Sequence, residues 1–236
     1  ANDVTMYAHI GTGNYNSRTA RVYTDLGLFT ADPSICGDIL RIFNLLTGFG
    51  EQFRTDVVLA APSNLRQSIT DRIRREIEHA RAGRPARLIF KMNALEDFEC
   101  TRLLYEAAMA GVQVDLVIRG ICRLRPGLPG LSENVRVVSI IGRFLEHARI
   151  YYFENNGDPE YFIGSADLMK RNLDERIEVL APVRSPEHRA QLRELLELQL
   201  NDRRQGWRLR DATWERDPSV TEPGCQAILL ERAPFS

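Results

Sequence analysis

An α/β fold, with mixed, largely parallel sheets flanked by helices, is the architecture that this sequence predicts. Three observations carry the prediction. Between residues 56 and 120, short apolar runs alternate with helical patterns in the order strand, helix, strand, helix, strand. That is the grammar of crossover units whose sheet is covered on both faces. The chain has 236 residues, 44% of them apolar, enough to bury one large core or two small ones. Finally, one block of sequence occurs twice, 153 residues apart.

Taken in order, "VTMYAHIGTG" reads as a strand. "ADPSICGDILRIFNLLTGFG" reads as a helix, with Asp32 as cap, Pro33 in the first turn, a stripe of Ile35, Ile39, Ile42, Phe43 and Leu46, and Gly48 as the stop. The pattern lapses around Glu51 to Thr55, which places a boundary there: residues 1–55 form one unit and 56–236 a second. "DVVLAAP" is a short buried strand. The helix after it carries Leu65, Ile69, Ile73 and Ile77 on one stripe and closes at Gly83. Strand "ARLIFKMNAL", helix "EDFECTRLLYEAAMAG" and strand "VQVDLVIRG" follow. In such sheets ligands bind beyond the carboxyl ends of the strands, where Lys91, Asn93 and Arg119 fall. After the Pro/Gly loop "RLRPGLPGLSEN", "VRVVSII", "ARIYYFE" and "YFIGSAD" read as strands, and a Leu/Glu-rich helix spans about Ser185 to Asn201. The tail "RDATWERDPSVTEPG" reads as a loop, with Trp207 and Trp214 as packing residues.

The net charge of −1 gives no global field to recruit nucleic acid or an anionic membrane. Only Lys91 and Lys170 among the 31 basic side chains are lysines; planar guanidinium forks suit phosphate oxygens. The four cysteines lack CxxC spacing, so neither a zinc site nor a disulfide framework is indicated. No leader or membrane-length apolar run is evident, and a reducing cytoplasm is the default setting.

The repeated block is "HIGTGNYNSRTARVYTDL" against "YFIGSADLMKRNLDERIEVL". With Gly11 on Gly164, Asn14 falls on Asp167, Arg18 on Arg171, Tyr23 on Arg176 and Asp25 on Glu178. Thr12 or Ser165, nearby backbone N–H groups and Asn14 are donors suited to phosphate oxygens. Upstream of the second block, His147, Arg149 and Glu154 stand at offsets 0, 2 and 7. This resembles the His-x-Lys-x4-Asp pattern of the phospholipase D superfamily, followed by its Gly-Ser-x-Asn segment. The resemblance implies a phospholipase D-like fold in which two half-sites build one active site. One histidine attacks phosphorus and the other handles the leaving-group proton. Asp25 and Glu178 are then candidate orienting carboxylates for a histidine of the facing half. A first-half histidine is expected ahead of Gly11, upstream of Ala1. His9 is read as structural, and His79 and His188 as solvated.

Longer strings are more specific. "YAHIGTGNYNSRTARVYTDLGLFTADP", "KMNALED", "VIRGICRLRPG" and "SIIGRFLEHARIYYFENNGD…YFIGSADLMKRNLDERIEVLAPV" resemble the carboxyl-terminal catalytic region of the first family of bacterial polyphosphate kinases. That resemblance implies the end of one phospholipase D-like catalytic domain in 1–55 and a second in 56–236. It implies reversible transfer of the ATP terminal phosphate to polyphosphate through a phosphohistidine, with Mg²⁺. ATP, ADP and inorganic polyphosphate are the implied partners, with a homo-oligomer and no nucleic acid. Two further domains, the attacking histidine and two arginines of the metal or phosphate site are expected upstream, so no metal ligand is expected in this chain and it is expected to be inactive alone.

By the same resemblance Tyr23, Arg119 and His147 match ATP-contacting positions, His147 as general acid or base. Arg149 replaces the superfamily lysine, keeping charge without a labile proton. Supporting phosphate-site candidates are Asn14, Lys91, Asn93, Arg123, Arg143, Arg149, Ser165, Asp167, Arg171 and Arg176. From Arg119 to Arg149 six arginines (119, 123, 125, 136, 143, 149) face only Glu133 and Glu146, the local bias that a phosphate channel needs. Alternatives are a phosphodiesterase or phosphatidyltransferase of the phospholipase D superfamily, which Arg149 disfavours, and a non-catalytic polyphosphate-binding module.

Overall fold

The computed structural model describes residues 4–49 and 54–232, so the expected boundary at Glu51 to Thr55 lies mostly outside the described residues. The amino-terminal unit is built from β1 (Ala8–Gly11), β2 (Tyr23–Thr24), β3 (Gly27–Thr30) and α1 (Pro33–Leu46). β1 and β3 form an antiparallel pair. The Asp32 side chain caps α1 by accepting the N–H groups of Ser34 and Ile35, and Pro33 occupies the first turn. Ile35 and Ile42 are buried, but Phe43 and Leu46 of the expected stripe stay exposed.

Asp38 ties this unit to the next. It is fully buried in α1, and its carboxylate accepts backbone N–H groups from Asp56 (3.0 Å), Val57 (2.7 Å) and Val58 (2.9 Å). Ile10, Ile35, Ile42, Val58, Ala60 and Ala181 form a small core between the two units.

The second unit contains β4 (Leu59–Ala61), α2 (Leu65–Arg81), β5 (Arg87–Met92), α3 (Phe98–Met109), β6 (Gln113–Ile118), β7 (Val135–Ile140), β8 (Leu145–Glu146) and β9 (Arg149–Phe153). It continues with β10 (Glu160–Gly164), β11 (Glu178–Pro182), α4 (Pro186–Leu200), β12 (Gly206–Arg210), β13 (Thr213–Glu215) and α5 (Cys225–Glu231). Nine strands make one mixed sheet in the order β13-β12-β7-β6-β5-β9-β10-β11-β4. Within this sheet, parallel pairing is confined to β5–β6–β7, the strands joined by helical or long crossovers. The expectation of a largely parallel sheet therefore holds for that centre and not for the flanks. There β9 and β10 are joined by a short connection, β10 and β11 by the segment that carries a π-helical turn, and both pairs run antiparallel.

Side-chain alternation along the strands gives the sheet two different faces. Leu88 and Phe90 of β5, with Tyr151 and Phe153 of β9, pack under α2 and α3. Ile89, Ile150 and Tyr152 point the other way, to Leu192, Leu196 and Leu200 of α4. Ile69 and Ile73 of α2 have no exposed surface, each adding about 1.5–3 kcal/mol of burial free energy. The tail read as loop, residues 210–224, holds the end of β12 and all of β13, with Trp214 against the larger core, and α5 follows it directly. His79, expected to be solvated, is half-buried, its ring nitrogens having no hydrogen-bond partner among the described residues.

The sequence repeat is also a structural repeat, and it extends further than the motif. β1–turn–β3–α1 and β10–turn–β11–α4 match at the constant shift of 153 residues. Gly11 pairs with Gly27 as Gly164 pairs with Leu180, and His9 with Phe29 as Phe162 with Pro182. Both helices begin with a proline behind a capping side chain, Asp32 in one and Ser185 in the other.

Candidate active site

Each copy of the repeat closes its turn with the same three hydrogen bonds. In the first, the Thr12 N–H donates to the Leu26 carbonyl (2.9 Å), the Thr12 hydroxyl to Asp25 Oδ1 (2.7 Å), and the Leu26 N–H to Thr12 Oγ1 (2.9 Å). In the second, the Ser165 N–H donates to Val179 (3.0 Å), the Ser165 hydroxyl to Glu178 Oε2, and the Val179 N–H to Ser165 Oγ (3.3 Å). Gly13 and Gly164 are required by close approach. A Cβ on Gly13 would stand 2.0 Å from Asp25 Oδ2, and one on Gly164 1.8 Å from the Val179 carbonyl oxygen.

The two turns face one another across a cavity of about 480 Å³. It is lined by Asn14, Asn93, Arg119, His147, Arg149, Ser165, Asp167, Arg171, Arg176 and Glu178, among the expected residues, together with Thr12, Gly13, Gly120, Met169 and Asn172. Asn93 and Arg119 stand just past the carboxyl ends of β5 and β6, where Arg119 Nε donates to Asn93 Oδ1 (2.8 Å). Arg171 and Arg176 flank a π-helical turn, Arg171–Glu175, in which the Arg176 N–H donates to the Arg171 carbonyl (2.9 Å).

His147 and Asp25 join the halves. His147 Nδ1 lies 2.9 Å from Asp25 Oδ1, which fixes Nδ1–H as donor to the carboxylate and leaves Nε2 as the acceptor. The Tyr23 ring rests against the imidazole, centroids 4.8 Å apart. Tyr23 and Asp25 line an adjoining hollow of about 290 Å³ together with His9 and Tyr15. His9 serves that wall, its Nδ1 2.6 Å from the Tyr15 hydroxyl.

Arg149 crosses the interface as well. Its fork reaches Asp167 (3.2 Å from both Nε and Nη2), and Nη1 donates to the Thr12 carbonyl (3.0 Å) and the His147 carbonyl (2.8 Å). Asp167 also accepts the Asn93 backbone N–H (2.7 Å). Asp167 and Glu178 are thus engaged, whereas Arg119, Arg171 and Arg176 have no carboxylate partner among the described residues. The excess of guanidinium over free carboxylate gives the cavity the charge that suits oxyanions.

Four expected residues lie elsewhere. Lys91 shares the α4 face of β5 with Ile89, and its ammonium is buried on Glu146 (2.7 Å). Arg123 lies over the Phe98 ring, and Arg143 over Phe144. Glu154, at the far end of β9, accepts the Tyr152 hydroxyl. Asn172, which sequence reading passed over, donates to Glu178 Oε1. Its counterpart in the repeat is Thr19, outside the cavity, so the duplication carried no signal for it.

Among the described residues no cluster of three or more His, Cys, Asp or Glu could hold a metal ion. The cavity carboxylates Asp167 and Glu178 are engaged by Arg149, Ser165 and Asn172. No helix among the described residues is long and apolar enough to cross a membrane.

Fold and cleft together define an α/β protein in which two related halves enclose one cationic, histidine-bearing oxyanion site. Comparison with known proteins gives the family. The model for polyphosphate kinase C-terminal domain 2 matches residues 58–225, and that for C-terminal domain 1 matches residues 1–52. A polyphosphate kinase of Thermosynechococcus vestitus is 51% identical over 236 residues, covering 98% of this chain and 32% of the relative. One of Streptomyces coelicolor is 50% identical over 211 residues, covering 89% of this chain and 28% of the relative. The crystal structure of polyphosphate kinase from Porphyromonas gingivalis superposes with a TM-score of 0.90 at 39% identity, over 96% of this chain and 35% of that one. The chain belongs to the polyphosphate kinase family, and it spans about a third of the length of the curated relatives it matches.

Proposed function

We propose that this chain supplies one side of the active site of an ATP–polyphosphate phosphotransferase, with His147 as the general acid or base on the oxygen partner of the transferred phosphate. The hydrogen bond from His147 to Asp25 across the two halves is the observation that carries this reading. With Nδ1 held on Asp25, Nε2, which lies 3.2 Å from Arg149 Nη1, is the ring nitrogen left to take a proton from, or return one to, a phosphate oxygen. Arg119, Arg149, Arg171 and Arg176 neutralise charge on the equatorial oxygens in transfer. Tyr23, against the imidazole, is placed to stack on or donate to the nucleotide.

His147 is the one histidine on the cavity among the described residues. By the repeat, Glu178 is the counterpart of Asp25 and would orient the attacking histidine that the family resemblance implies. ATP, ADP and polyphosphate as ligands, Mg²⁺ arriving with the nucleotide, a homo-oligomer and a cytoplasmic setting belong to the same reading. So does a division near residue 55 between two catalytic domains, at the segment that Asp38 grips.

A calorimetric titration of the chain with Mg-ATP tests the site. The wild type is expected to bind, and Arg119→Ala to lose about 1–3 kcal/mol, the worth of a charge-assisted phosphate contact. A folded wild type that gives no binding heat would remove the cleft as a nucleotide site.

A further inference from the structure

The carboxyl-terminal helix reaches the catalytic histidine through one buried carboxylate. Glu146 immediately precedes His147 and is 4% exposed. Its oxygens are filled from four separate elements. Oε2 accepts from Thr24 Oγ1 of β2 (2.9 Å), Lys91 Nζ of β5 (2.7 Å) and Gln199 Nε2 of α4 (2.8 Å). Oε1 accepts from Gln226 Nε2 of α5 (2.7 Å). Gln226 also clasps the backbone two residues before Glu146: Phe144 N–H donates to its Oε1 (3.0 Å), and its Nε2 donates to the Phe144 carbonyl (2.9 Å). A Cβ on Gly142 would stand 2.1 Å from Gln205 Nε2 and 2.5 Å from Gln226 Oε1, so the glutamine side chains lie directly over this glycine.

On the far side of Glu146 lies Thr24, between Tyr23 and Asp25 in sequence. Thr24 pairs with Glu146 in the parallel β2–β8 ladder, and its carbonyl accepts the N–H groups of His147 (3.2 Å) and Ala148 (3.0 Å). The carboxylate therefore sits directly beneath the Tyr23–His147–Asp25 group and binds the two strands that present it. A buried ion pair adds little stability over a well-packed apolar pair of the same volume. Its distinctive property is directional: each filled lone pair fixes a strand in one register.

We propose that Glu146, held by Lys91, Gln199 and Gln226, is the positioning residue for His147, and that Gln226 of α5 is the part of this grip supplied by the carboxyl-terminal segment. The family model's match stops at residue 225, one position short of Gln226. The inference rests on the phosphotransfer reading for the use made of His147, but not for its geometry.

Histidine-selective ¹⁵N NMR of the chain, at a pH where the ring is neutral, reads the tautomer directly. The wild-type imidazole is expected to show Nδ1 protonated against Asp25. Gln226→Leu, which keeps the volume but removes the clasp and the donor to Glu146, is expected to move both ring resonances toward those of an unconstrained tautomer mixture. It should also weaken Mg-ATP binding about tenfold, a change of about 1.4 kcal/mol. Arg232→Ala, which breaks only an exposed contact of the same helix with Glu194, is the control and should leave the ring unchanged. Unchanged ring resonances in folded Gln226→Leu, or an equal movement in Arg232→Ala, would overturn the proposal. If Gln226→Leu does not fold, Thr24→Val removes a donor to Glu146 from the opposite side and carries the same expectation and the same refutation. Absence of ATP binding by the wild type strikes the phosphotransfer reading alone and leaves the tautomer result to stand or fall separately.

Discussion

Arg149 occupies the position at which the superfamily pattern has lysine, and its surroundings explain why an arginine works there. It is 8% exposed, and three of its nitrogens each meet an acceptor: two on Asp167, and Nη1 on the Thr12 and His147 carbonyls. A lysine ammonium is a point donor and reaches only part of that set. Arg149→Lys is therefore expected to cost roughly 1–3 kcal/mol in urea melts, the penalty for a buried charged group left short of partners. A loss below about 0.5 kcal/mol, within the range of an ordinary surface substitution, would refute this. The contrast with Lys91 is instructive. Both are buried cations near strand ends, but the alternation of β5 sends Lys91 to the opposite face of the sheet, and composition alone cannot distinguish the two.

At the scale of elements, α1 carries two aspartates with different duties. Asp32 caps a partly solvated helix end; Asp38 is buried and satisfies three consecutive backbone N–H groups of the segment leading into β4. Asp32→Ala should cost about 0.5–2 kcal/mol. Asp38→Ala should cost more, about 3 kcal/mol or above, because it strands several buried donors together. Urea denaturation of both variants checks the order, and a reversal would mean that the interface between the units adds little to the fold. Much of this organisation was legible in the sequence. The Ile69–Ile73–Ile77 stripe, the stop at Gly83 and the Asp32–Pro33 start are strong local signals, each realised within two residues. The turn repeat was legible too, because Gly11 and Gly164 head identical spacings. What escaped was short or non-local. β13 has three residues, α5 has seven, and the clasp of Gln226 on Phe144 joins positions 82 residues apart. Arg123 and Arg143 look like phosphate ligands in a charge count, yet their guanidinium groups lie over aromatic rings outside the cavity.

For the whole molecule, acid sensitivity follows from carboxylates held ionised by neighbours. Burial opposes ionisation of Asp97, but Arg66 and the Cys100 N–H outweigh it and hold the carboxyl below its ordinary value. Burial likewise opposes ionisation of Glu146, and the Lys91 ammonium with the Gln226 and Thr24 donors overrides it. A carboxyl that ionises more readily folded than unfolded adds stability above its ordinary range, and that stability is lost as pH falls through the depressed folded value. Asp32, lowered to about 2 chiefly by the Ser34 hydroxyl, extends the same trend. Melting temperature should accordingly hold from neutrality to about pH 5 and fall steadily below about 4. Asp97→Asn should flatten that fall, and a wild-type melting temperature independent of pH down to about 3 would refute the assignment. The matched turns have a last consequence. Thr12 opposite Ser165, with the same hydroxyl-to-carboxylate bond behind each, gives the two sides of the cleft nearly the same framework. A phosphate chain has no chemical direction of its own, and a symmetric cradle would accept it either way round. The unequal pairs, Asn14 with Asp167, Tyr23 with Arg176 and Asp25 with Glu178, give the cradle a head and a tail. Under the phosphotransfer reading, those three mismatches make the two ends of the cradle chemically distinct where the polymer itself is not.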